Sequence, residues 1–121
     1  TKTVSKNIQN IFKNLNIKFL EQVSYEIFTF DFEIFNTENI FNYDQTKNNK
    51  RIFIEIDGSS HFDRNVKTLT IKENFKRKLL SKINHIIIHF DHKDIIKIVQ
   101  SQNPNNDFLL ILNSRIFLNI K

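Results

Sequence analysis

The sequence contains no cysteine, methionine, tryptophan or alanine, and only one glycine and one proline. Without cysteine there are no disulfides, no thiolate metal ligands and no thiol nucleophile, and cysteine usage says nothing about redox compartment. No apolar run approaches the roughly 20 residues that a membrane-spanning helix needs. There is neither an apolar signal core nor an arginine-rich transit segment. The chain starts at Thr1 rather than Met, so it reads as a mature product or, preferably, a piece of a longer protein.

What is present is hydrophobic and polar in comparable measure. Twenty Ile and 13 Phe are too many for a disordered tail, and 121 residues suit one domain that buries about two-thirds of its unfolded surface. Seventeen Asn beside the Ile, Lys and Phe excess look like the codon bias of an A+T-rich genome. The net charge of +5 makes a polyanionic partner plausible without requiring one.

Val4, Ile8, Ile11, Phe12 and Leu15 recur at helical spacing, which predicts an amphipathic helix over residues 4–15. From Tyr25 to Phe35 the period changes to two, with Phe28, Phe30, Phe32 and Ile34 on one face of a strand and Thr29, Asp31 and Glu33 on the other. Asn36 to Lys50 reads as a surface loop in which Ile40, Phe41 and Tyr43 could flank a strand. Arg51 to Asp57 alternates again and stops at Gly58, where the sole glycine points to a turn needing positive φ or a close backbone approach. A helix from about Ile71 to Ile83 and the buried strand His85–Phe90 complete a strand, helix, strand unit, implying a parallel crossover. Asp94 is placed to cap a further helix ending near Pro104. Residues 104–121 form an apolar C-terminal segment expected to be a docking helix after a domain over 4–103.

Glu55 and Asp57, two apart on one strand, project from the same face, and Asp31 lies on the polar face of the preceding strand. Three converging carboxylates would suit Mg²⁺ or Mn²⁺ and a metal-activated water attacking a phosphodiester, whereas two strand-end acids alone are more often solvated or cap a turn. On the helical wheel Phe75, Leu79, Leu80 and Ile83 form the apolar stripe of the second helix, and Lys76 falls inside it. A core-facing ammonium either snorkels to water or meets a carboxylate such as Glu55 or Asp57. Lys72, Arg77, Lys78 and Lys82 form a basic face, solvated or tracking phosphates. His61, just past the turn, could act as acid or base or touch a phosphate. His85 and His89 share one face of their strand and read as structural.

The run FIEIDGSSHF from Phe53 to Phe62, then Thr70, FKRKLL from Phe75 to Leu80 and HIIIHFDHKDI from His85 to Ile95 together resemble the RAP domain, over roughly residues 4–100. That family comprises RNA-binding modules abundant in apicomplexan parasites and present in plant and animal organelle proteins. The resemblance implies a fold like the restriction-endonuclease superfamily, an α/β domain whose short mixed sheet is flanked by helices. In that alignment Asp31 matches the first metal acid and Glu55 the second. The nuclease pattern places lysine where this chain has Asp57, and Lys76 would have to substitute from the helix.

The expected function is therefore RNA binding without cleavage, on ribosomal RNA or organellar transcripts, in a larger assembly such as a mitochondrial ribosome. His61, Lys72, Lys76, Arg77, Lys78 and Lys82 are the expected RNA contacts, and no cofactor is expected. Further proteins of that assembly are expected partners, and a membrane is not. The mitochondrion is the expected location, with the apicoplast or another plastid as the alternative. The competing expectation is a metal-dependent endonuclease using Mg²⁺ on Asp31 and Glu55, with Asp57, His61 and Lys76 assisting. The RNA sequence read, the parent protein and the oligomeric state are not legible in these residues.

Overall fold

The computed structural model describes residues 2–35, 49–57 and 66–119. The expected loop over 36–48, the Gly58 turn and His61 lie outside the described residues. In chain order the elements are α1 (Lys2–Asn14), β1 (Lys18–Tyr25), β2 (Phe28–Phe35), β3 (Ile52–Asp57), α2 (Val66–Leu80), β4 (Ile86–Asp91), α3 (His92–Val99) and α4 (Pro104–Asn119). The strands form one mixed sheet in the order β1-β2-β3-β4, antiparallel except for the parallel β3/β4 pair that α2 connects. Three helices cover one face and α2 the other, so the domain is a three-layer α/β fold, as expected. Among the described residues no helix is long and apolar enough to cross a membrane.

Helix α1 lies where periodicity places it and buries Val4, Ile8, Ile11 and Phe12. It ends where Asn16 turns left-handed at φ 56 while the Ile17 amide donates to the Phe12 carbonyl and the Asn16 amide to the Lys13 carbonyl. Asn tolerates that conformation better than most residues, and Ile17 drops into the core beside the last helical turn. The α1 face of the sheet is apolar: Phe32, Ile34, Ile52, Ile54, Ile86, Ile88 and Phe90 pack with Ile95 and Ile98 of α3 and Phe108, Leu112 and Ile116 of α4. Phe108 stacks on Phe90 at 5.2 Å, so the helix expected to dock elsewhere also seals this chain's own sheet. Its outward residues Leu110, Phe117 and Leu118 stay exposed.

The structure departs from expectation at several places. β1 is absent from the periodicity reading because this edge strand is mostly exposed and polar, with Lys18, Glu21, Gln22 and Ser24 in water. The four-residue apolar row of β2 does not share one face. Phe32 and Ile34 join the α1 core, whereas Phe30 packs on the α2 side with Phe53 and Leu80. The phase slips at Asp31 and its β1 neighbour Gln22, whose φ of 50 interrupts the ladder between the Glu21↔Phe32 and Val23↔Phe30 pairs. Glu33, expected on the polar side, is consequently buried. Helix α2 begins earlier and ends earlier than expected, and Phe75 is 64% exposed rather than part of a buried stripe. Asp91, not Asp94, caps α3, its carboxylate accepting the Lys93 amide at 3.0 Å. Pro104 opens α4 instead of closing α3, a position where its missing N–H costs nothing.

Candidate nucleic-acid interface

The α2 face of the sheet holds the polar chemistry. Because β3 and β4 run in parallel and in register, Glu55 pairs with His89 and Asp57 with Asp91, and alternation turns the side chains of Glu55, Asp57 and His89 toward α2. One donor atom from each of these three lies within 4.8 Å of the others. His89 Nδ1 sits 3.7 Å from Glu55 Oε2 and 3.6 Å from Asp57 Oδ2. These separations are too long for hydrogen bonds. Lys76 reaches in from α2 and places its ammonium 2.6 Å from Glu55 Oε1, with Glu55 largely buried. The inward lysine of the helical wheel thus meets a carboxylate, and Coulomb attraction in a half-buried setting compensates the desolvation of both groups.

Asp31 does not join this cluster. Its Oδ2 accepts the Ile56 backbone amide at 2.7 Å, so the carboxylate lies along the sheet and satisfies an N–H beyond the last β2/β3 pair, Phe32↔Ile54. Of the two acids that the resemblance implies for a metal, Asp31 accepts a backbone amide with Oδ2 and Glu55 meets Lys76 with Oε1. Among the described residues, the three donors that could share a divalent cation are Glu55, Asp57 and His89.

A second polar constellation went unread in the sequence. Arg51, just before β3, clamps the buried Glu33 with two bonds of 2.7 Å, from Nε to Oε2 and from an Nη to Oε1. Its guanidinium also lies over the Phe53 ring at 4.8 Å and the Tyr25 ring at 5.4 Å. The hydrogen bonds to Glu33 raise the Arg51 pKa above its usual value, so its charge is permanent. The Arg51 backbone amide donates to His85 Nδ1 at 3.0 Å. The His85 ring stands edge-on to Tyr25 at 5.1 Å and Phe53 at 5.9 Å. Burial and then the Arg51 charge push the imidazole below its ordinary pKa, against a smaller opposing pull from Glu33. Glu33 and Arg51 were missed because the signal is a salt bridge 18 residues apart, invisible to periodicity.

The basic residues lie around the end of α2. Arg77, Lys78 and Lys82 are exposed and form no ion pair with a described residue. Lys72 stands within α2, its side chain outside the described residues. Two cavities of about 350 Å³ each flank this end of the helix and share Ile83 and Asn84 as a common wall. Arg77, Lys50, His85 and His89 line the first; Lys82, Tyr25 and Phe28 line the second.

Residues 54–110 match the RAP domain. Over this stretch the chain is similar to the RAP domain. The match runs from Ile54 in β3 through α2, β4 and α3 into the first turns of α4, so it contains most of the parallel unit and the basic helix end. The RAP match supports RNA binding. No curated protein and no solved structure matches the chain.

Proposed function

We propose that this RAP-like domain binds single-stranded RNA through the exposed end of α2 and does not cleave it, as a module of an organellar RNA–protein assembly such as a mitochondrial ribosome. The observation that carries the binding is the group Arg77, Lys78 and Lys82: three exposed cations without an acidic partner among the described residues, bordering two cavities. Cations at a helix C-terminus also favour the macrodipole, by about 0.3–1 kcal/mol each, so their presence has a purely structural use as well. Phosphate contacts differ from that use in releasing counterions. The organellar setting draws on the family's occurrence in organelle proteins and on the A+T-like composition.

Non-cleavage is supported by the acid cluster. A nuclease needs its carboxylates for metal and a cation for the attacked phosphate, but here the Lys76 ammonium neutralises Glu55 and Asp31 braces the backbone. The endonuclease reading keeps one favourable observation, the closely grouped Glu55, Asp57 and His89.

The test is fluorescence anisotropy on labelled single-stranded RNA over a salt series, with wild type and the Lys78→Ala, Lys82→Ala double variant. The variant should bind more weakly and flatten the log–log salt slope by roughly 0.7 per lost contact. An unchanged slope assigns both lysines to a solvated face. The same RNA incubated with Mg²⁺ or Mn²⁺ should stay intact. Metal-dependent cleavage lost in a Glu55→Ala variant would establish the endonuclease instead.

A further inference from the structure

His85 is held as no surface histidine needs to be. Its Nδ1 is consumed as an acceptor by the Arg51 amide, so the proton of the neutral ring resides on Nε2. Two aromatic edges fix the ring plane. The Glu33 clamp in turn fixes the residue that supplies the amide. Nε2–H is left as a single preoriented donor with no partner among the described residues, on a ring that forms part of the first cavity's wall. That cavity is also lined by Arg77 and by Asn84 and Asn119, whose carboxamides have both donor and acceptor atoms, one donor of Asn119 already being given to the Arg115 carbonyl at 2.7 Å. Its volume of about 350 Å³ falls at the small end of ligand pockets, the size for one nucleotide rather than a duplex.

We propose that this cavity takes one unstacked nucleotide of a single-stranded RNA, with Arg77 on its phosphate and His85 Nε2–H, Asn84 and Asn119 on the edge of its base. The inference rests on the RNA-binding reading above and adds sequence preference to it. A rigid donor beside two carboxamides distinguishes base edges, whereas the exposed lysines at the end of α2 touch only backbone. Burial first, and then the neighbouring Arg51 charge, disfavour the cationic form of His85, so the group acts as a donor rather than as a charge. The basic helix end supplies affinity and the cavity supplies choice.

Two substitutions separate the nitrogens of His85. His85→Asn keeps an acceptor near the Nδ1 position for the Arg51 amide and deletes the donor at Nε2. His85→Gln extends an amide to the Nε2 position. The probes are labelled ten-nucleotide oligo(U), oligo(C) and oligo(A), each measured by anisotropy at several salt concentrations, with thermal melting as the check on folding. Wild type should rank the three oligomers with a spread of about tenfold, the worth of one good base contact. His85→Asn should collapse the ranking while keeping the salt slope, and His85→Gln should restore it. Asn84→Ala, at an exposed position, should narrow the ranking independently of any effect on folding at residue 85. RNA binding with no ranking in wild type, or a ranking that survives both His85→Asn and Asn84→Ala, overturns the pocket while leaving the helix contacts standing. Absence of binding to all three oligomers overturns the RNA-binding reading itself.

Discussion

The Arg51–Glu33 clamp makes an asymmetric demand on stability. Glu33 has a side chain only 3% exposed, while that of Arg51 is 41% exposed. Removing the arginine strands a buried carboxylate, whereas removing the acid leaves a guanidinium that water still reaches. Breaking a buried pair by deleting one partner costs about 3–5 kcal/mol, and the half-exposed arginine puts Arg51→Ala near the lower end, at about 3 kcal/mol. Glu33→Gln keeps volume and one acceptor and loses two charge-assisted hydrogen bonds, for about 1–2 kcal/mol. The two single losses should not add. The double variant buries only an uncharged carboxamide and should be roughly as stable as, or more stable than, Arg51→Ala alone. In a domain of this size each kcal/mol moves the midpoint by about 3–5 °C, so Arg51→Ala should melt about 10–15 °C below wild type and Glu33→Gln about one third to two thirds as far. Urea unfolding with unchanged m-values gives the same quantities independently. Equal losses below about 1 kcal/mol for both single variants would mean that Glu33 reaches solvent, and the account of the clamp would fall.

The brace at Asp31 should depend on an oxygen and not on a charge. Asp31→Asn should cost well under 1 kcal/mol because its carbonyl still accepts the Ile56 amide, while Asp31→Ala should cost about 1–2 kcal/mol; equal losses in melting experiments would refute the role. His85 should make stability depend on pH in a definite sense. Its folded pKa lies below the ordinary value near 6.5, so folding favours the neutral ring, and the unfolded chain binds the proton first. Its contribution is complete above the ordinary value and is lost as pH falls from there through the lower folded value. The difference between wild type and His85→Asn in urea midpoints from pH 7.5 to 5 isolates this term, and a difference constant across that range would contradict it.

Helix α1, the β3–α2–β4 crossover and the outward acids of β3 were legible because each follows from a local period. Ile52, Ile54 and Ile56 alternate with Phe53, Glu55 and Asp57, and a one-residue error would have put carboxylates in the core. Lys76 was legible for the same reason: a charge within an apolar stripe demands a partner, and Glu55 supplies it. The cap of α3 was misplaced by three residues because Asp91 and Asp94 carry the same side chain, and only the extended backbone at Asp91, φ −72 and ψ 137, decides between them.

The change of face within β1 and β2 was not legible, and the site depends on it. Period two continues without a break from Phe28 to Ile34, so the pattern fixes that these residues alternate but not that the alternation keeps its phase through Asp31. With Gln22 at φ 50, the strand pair changes face between Val23↔Phe30 and Glu21↔Phe32. A left-handed non-glycine costs about 1–2 kcal/mol, which the surrounding packing must offset. What that packing gains is visible residue by residue. Phe30 crosses to the α2 side and stacks on Phe53 at 4.5 Å, while Phe32 stays against Phe12 on the α1 side. Glu33 keeps the Phe53 face, where Arg51 clamps it. An unbroken phase would have set Phe30 among the α1-side residues and left Phe53 without its stacking partner. The ring that flanks His85 and the arginine that donates to it are both held by residues next to this change of face, Phe30 and Glu33, so the orientation of the Nε2 donor rests on a feature of β2 that the period alone does not fix.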